Sequence, residues 1–224
     1  MSRNFYLATE GSMEPSSELV YVVDDDRRVA EALCALLRAN GRNVDAFNSG
    51  REFLDTPRRD VVACLILDLG MPGMNGLEVQ KLVSRDSQIP VIFISGRGDV
   101  SSTVLAMKGG AVDFLTKPLD ENALMRAVDE ALARAHVLRK EAEDTAALLA
   151  LYQSLTPREQ ELLPLLASGL LNKQAASVLG ITEYTVQVHR GHIMRKMQAG
   201  SFATLVRLAS KLQLETSSMT TFGV

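Results

Sequence analysis

The chain has 224 residues, 46% of them hydrophobic and 23% charged, with a formal net charge of −3. That composition suits one large or two small globular domains. No apolar run approaches the roughly 20 residues that cross a bilayer, and the polar first stretch lacks the apolar core of an export signal, which points away from membrane and exported proteins.

The charge is unevenly spread. Residues 151–224 carry seven Lys and Arg against four Glu, a net +3, while the remainder is net −6. An acidic first part and a basic last part predict two domains with different partners. Cys34 lies in a helical pattern and Cys64 in an apolar run, so both are expected as reduced core thiols of a cytoplasmic protein. Residues 1–17 read as a disordered tail.

In chain order, Leu19 to Val23 is apolar and β-prone and runs into Asp24, Asp25 and Asp26. A helix follows, with Val29, Ala30, Leu33, Leu36 and Leu37 at helical spacing and a stop at Asn40-Gly41. Val44 to Phe47 is a short strand, and Ser49 caps the next helix. Val61 to Leu67 has the length and Val/Ile/Leu bias of a strand buried on both faces. It ends in Asp68, where the Gly- and Pro-rich loop of LDLGMPGMNG turns the chain. Helical Leu77 to Val83, a strand over Pro90 to Ile94 ending in Ser95, helical Val100 to Lys108, and a strand over Asp113 to Thr116 ending in Lys117-Pro118 complete the series. Strands alternating with helices predict an α/β domain, a doubly wound parallel sheet of five strands with helices on both faces.

In such a sheet the groups at the carboxyl ends of neighbouring strands converge. Here they are Asp24, Asp25, Asp68, Ser95 and Lys117. Crowded carboxylates repel and call for a cation, and all-oxygen ligation favours magnesium. Asp68 is then placed as a nucleophile towards phosphorus, with the lysine and the hydroxyl placed to hold the phosphoryl oxygens.

From Asp120 to about Tyr152 runs one helical pattern without Gly or Pro. Leu124, Val128, Ala131, Ala135, Leu138, Ala142, Thr145 and Leu149 form an Ala-rich heptad seam along it. Thr156-Pro157-Arg158-Glu159 is a capping box with Pro at the first helical position, opening a helix to Ser168-Gly169. Asn172 is expected to cap a short helix, Lys173 to Leu179, closed by Gly180. Thr182 caps a longer one, Glu183 to Met197, and Ser201 a last one to about Leu214. A short helix, a turn with Gly and a longer basic helix predict a helix-turn-helix, whose second helix enters the major groove of DNA. His189 and His192 stand three apart with no Cys near and few acids, so they are expected as helix or phosphate-contact residues rather than zinc ligands.

VVDDD, LDLGMPGMNG, FISGRGD and FLTKP resemble the receiver domain of two-component response regulators. LTPREQELL, NKQAASVLGIT and TVQVHRGHIMRKM resemble the LuxR-type DNA-binding domain. Together they resemble the FixJ/NarL class, its FixJ-like members above all. The resemblance implies the strand order 2-1-3-4-5 in the sheet, and a tail over 1–17, a receiver over 18–137, a helical linker over 138–154, a DNA-binding domain over 155–214 and a tail over 215–224. It implies no enzyme in its own right but a phosphoacceptor, Asp68, served by the phosphohistidine of a sensor histidine kinase. Mg2+ would be held by Asp25, Asp68 and the Gly70 carbonyl, with Asp24 acting through water. Lys117 would pair with the phosphoryl group, Ser95 would swing to it, and Phe114 would follow in the aromatic switch position. Phe114 stands where many members have Tyr, and Gly70 offers no side chain near the acceptor. At the DNA, Tyr184, Thr185, Gln187, Val188 and Gly191 would face the groove, with Lys173, Arg190, Arg195 and Lys196 on phosphates. Many members have Lys where Gln187 stands, and Gln can read adenine. Homodimerisation on phosphorylation, and contact with RNA polymerase to activate transcription, are the further partners implied. A regulator that binds DNA without phosphorylation, its receiver only a dimerisation module, is the alternative. A haloacid-dehalogenase-type phosphatase would leave the Asp68 loop unexplained.

Overall fold

A computed structural model of the protein describes residues 18–86, 89–96 and 100–212. The two expected tails, and the end of the last helix at about Leu214, lie outside the described residues. The chain forms two compact units, one reaching Arg139 and the other starting at Lys140. No described helix is long and apolar enough to cross a membrane.

The first unit is built on five strands, β1 (Glu18–Val23), β2 (Val44–Phe47), β3 (Val62–Asp68), β4 (Val91–Ser95) and β5 (Asp113–Thr116). All pair in parallel, in the order β2-β1-β3-β4-β5. The helices between them are α1 (Arg27–Ala39), α2 (Gly50–Asp55), α3 (Gly76–Asp86) and α4 (Val100–Lys108). The period-two alternation of strand side chains divides the apolar residues between two cores. Val20, Val22, Ile66, Ile92 and Ile94 pack with Leu33 and Leu37 of α1 on one face. Tyr21, Val23, Leu65, Leu67 and Phe93 pack with Phe53 of α2, Val79 and Val83 of α3 and Ala106 of α4 on the other. Two-sided burial is why these strands read as unbroken apolar runs. Cys34 and Cys64 are free and buried, and burial pushes the Cys64 thiol up to about 12, so it is inert.

The helix α5 (Glu121–Gln153) runs through the boundary between the units. Of the heptad seam, Leu124, Val128, Ala131 and Ala135 are buried in the first unit, while Ala142, Thr145 and Leu149 are exposed. The residue that the second unit buries here is Leu148, one place before the seam position.

The second unit is helical, with α6 (Pro157–Ala167), α7 (Asn172–Leu179), α8 (Glu183–Lys196) and α9 (Phe202–Lys211) around Leu162, Leu163, Leu166, Val186, Ile193 and Leu205. The Thr156 capping box is formed: its hydroxyl accepts from the Glu159 amide, and Glu159 Oε2 accepts from the Thr156 amide at 2.8 Å. The expected cap of α7 is corrected. Leu171, not Asn172, occupies the cap position, where its amide donates to Gln174 Oε1 at 2.8 Å. Asn172 is free to serve elsewhere, and its Oδ1 accepts from Arg190 Nη1.

Candidate functional site

The order reverses at β1 and β3, so their carboxyl ends open a crevice that no crossover covers. Asp24 follows β1 and Asp68 ends β3; they are 0% and 6% exposed. Two carboxylates buried this deeply need compensation. Lys117, which follows β5, supplies it: its Nζ donates to Asp24 Oδ2 and to Asp68 Oδ1, both at 2.7 Å. The remaining oxygens accept backbone amides, Asp24 Oδ1 from Asp26 at 2.9 Å and Asp68 Oδ2 from Gly70 at 2.6 Å.

Burial raises the Asp24 carboxyl above its ordinary value, against the lowering pull of Lys117 and the Asp26 amide. On Lys117 burial works downward, but the two aspartates outweigh it and raise the ammonium above its ordinary value. The pairing of Lys117 with Asp24 as well as Asp68 is invisible in the sequence, because it depends on where a side chain from β5 crosses the mouth of two other strands.

Asp25 is exposed beside this pair. Among the described residues the Asp24, Asp25 and Asp68 carboxylates do not form a group with ligand atoms all within 4.8 Å of one another. Their chemistry nonetheless fits a hard divalent cation: the donors are all oxygen, and three carboxylates against one ammonium leave two negative charges. Ser95 is buried at the end of β4, which aligns with Thr116 of β5. The Lys117 amide donates to the Ser95 carbonyl at 2.8 Å, and the Lys117–Pro118 peptide is cis. Phe114 is half-buried and stacks on Phe93, the ring centroids 6.3 Å apart. Gly76 closes the loop after Asp68, where a Cβ would lie 2.5 Å from the Asp68 carbonyl oxygen.

In the second unit, Gly180 ends α7 in the left-handed region at φ +64°, and Thr182 caps α8 by accepting from the Thr185 amide at 3.1 Å. Val186, Ile193 and Met197 anchor α8 in the core. Tyr184, Gln187, Val188, Gly191 and Arg195 recur at helical spacing and are exposed, with Tyr184 77% exposed. Thr185 is half-buried and also joins the cap, its hydroxyl 2.8 Å from that of Thr182.

The expected phosphate contacts divide in two. Lys173 and Arg195 are exposed and have no partner among the described residues. Arg190 is half-buried, bonded to Asn172 and lying 4.2 Å over the Phe202 ring. Lys196 bonds Glu159 Oε2 at 2.6 Å. Burial works to raise the Glu159 carboxyl, but Lys196 and Thr156 outweigh it and hold it below its ordinary value.

Comparison with known proteins agrees with both units. Residues 20–129 match the response regulator receiver domain family, and residues 153–209 match the bacterial regulatory proteins of the luxR family. Nodulation protein W of Bradyrhizobium diazoefficiens is 45% identical over 204 residues, covering 90% of each chain. The transcriptional regulatory protein FixJ of the same organism is 38% identical over 196 residues, covering 86% of this chain and 94% of that one. The solved structure of the response regulator StyR, 45% identical, superposes with a TM-score of 0.73 over 87% of this chain and 98% of that one.

Proposed function

Because the chain belongs to the two-component response regulators that join a receiver to a LuxR-type DNA-binding domain, we propose that Asp68 accepts a phosphoryl group from a sensor histidine kinase and thereby controls DNA binding by α8. The observation that carries this reading is the Lys117 ammonium held 2.7 Å from an Asp68 carboxylate at the sheet's switch point.

An Asp68 oxygen attacks the phosphorus of the phosphohistidine. The P–N bond breaks, its electron pair leaves on the imidazole, and an acyl phosphate forms on Asp68. A bound Mg2+, held by Asp25, Asp68 and the Gly70 carbonyl with Asp24 behind, would supply Lewis-acid stabilisation of the phosphoryl oxygens. Lys117 is already on Asp68 and follows its charge to the new phosphoryl oxygens. Ser95, at the adjacent strand end, would turn its hydroxyl to those oxygens.

Rearrangement of Ser95 and Phe114 would reach α4, whose Val100, Val104, Leu105 and Met107 are exposed and apolar. That face supports homodimerisation, which would place two copies of α8 on adjacent half-sites of duplex DNA and raise avidity without new base contacts. Transcription activation through RNA polymerase is the output we assign.

The test is the intact mass of the protein after incubation with acetyl phosphate, with and without magnesium. One phosphoryl adduct that needs magnesium and is absent in Asp68→Asn is expected. No adduct on a folded, DNA-binding protein would sink the reading in favour of a regulator that does not use phosphorylation. At the DNA, Gln187→Ala is expected to change sequence preference more than general affinity, measured as binding to a panel of single-base variants of the site.

A further inference from the structure

The sequence pairs His189 with His192 but offers no third ligand near them. The fold supplies one from α6. Glu159, 2% exposed, meets α8 so that one ligand atom each of Glu159, His189 and His192 lies within 4.8 Å of the others, the one such group among the described residues. A second observation concerns one of these histidines. His189 Nδ1 is shut from water and has no hydrogen-bond partner. A buried imidazole nitrogen in that condition calls for a donor or a cation.

We propose that Glu159, His189 and His192 form a binding site for a divalent transition-metal ion of the zinc type. Two imidazoles and a carboxylate are a donor set that zinc takes, with a water in the fourth position. Four-coordinate donors about 2.1 Å from zinc stand about 3.4 Å apart, so a group whose ligand atoms lie within 4.8 Å of one another closes by side-chain movement of about an ångström. Glu159 Oε1 is the available oxygen, 3.6 Å from His192 Nδ1. Oε2 is taken by the Thr156 amide and by Lys196. The Lys196 charge opposes a second cation on this carboxylate, which sets the site weaker than one closed by thiolates. His192 and Lys196 lie along the edge of α8 beside its exposed stripe, so an ion there fastens the DNA-reading helix to α6 without covering that stripe.

The experiment titrates zinc chloride into the full chain, carrying Asp68→Asn and in excess magnesium so that the acidic crevice is not the source, against a chromophoric chelator. One zinc per chain is expected. Affinity should fall about tenfold or more in His192→Gln and in His189→Gln. Cobalt(II) should give the visible absorption of a four-coordinate complex in the parent and lose it in both variants. His192, whose side chain is 45% exposed, is the substitution that keeps its fold and decides the matter. An absence of zinc binding in the parent, or zinc and cobalt binding unchanged by His192→Gln, overturns the site.

Discussion

At the scale of single residues, the receiver's chemistry rests on one ammonium shared by two buried carboxylates. Lys117→Ala leaves Asp24 and Asp68 facing each other without a counterion. Breaking a buried pair of this kind costs about 3 kcal/mol or more. Urea denaturation of the variant should show that loss, with magnesium restoring part of it, since a divalent cation answers the same negative charge. Gly191 makes the opposite case. A Cβ there meets nothing within 4 Å, so Gly191→Ala should stabilise α8 by about 1 kcal/mol. On the proposed docking of α8 the same substitution should weaken DNA binding, because it adds a methyl group to the exposed stripe that would face the duplex. A thermal melt and a binding isotherm on one preparation separate the two effects, and a more stable protein with unchanged affinity would remove Gly191 from the DNA surface.

At the scale of elements, α8 is held by its neighbours through two of the cations that the family resemblance assigns to DNA phosphates. Arg190 joins α7 through Asn172 and α9 through Phe202, whereas Arg195 faces outward. Arg195→Gln should therefore lower the salt dependence of DNA binding by about one in the slope of log K against log salt, with melting unchanged. Arg190→Gln should lower the melting temperature and leave that slope nearly intact. The strands and helices were legible in the sequence because two-sided burial and cap residues write themselves locally, as Val62–Asp68, Ser49, Thr156 and Thr182 do. What was illegible depended on partners distant in the chain. Asn172 looks like a cap until Arg190 claims it, Leu149 continues a heptad until the second core takes Leu148, and Glu159 closes a capping box while also meeting a histidine pair on α8.

At the scale of the whole molecule, an acidic receiver and a basic DNA-binding unit share one uninterrupted helix, α5, whose residues 141–147 are all exposed. Ala142→Pro interrupts that helix where no packing is lost, at a cost of about 3 kcal/mol confined to the helix. Phosphoryl uptake and basal DNA binding should both persist, while the rise in DNA affinity on phosphorylation should shrink as the broken linker lowers the effective concentration of the second α8, as isotherms with and without acetyl phosphate will show. The same helix also governs how the protein is made. Leu124, Ala127, Val128, Ala131, Leu132 and Ala135 of α5 are part of the receiver core, so one face of the sheet stays open until the ribosome has delivered them. Asp68 is made 67 residues before Ala135, the last of these core residues. A nascent receiver therefore completes its core only as the first turns of α5, the connection to its own output, are delivered.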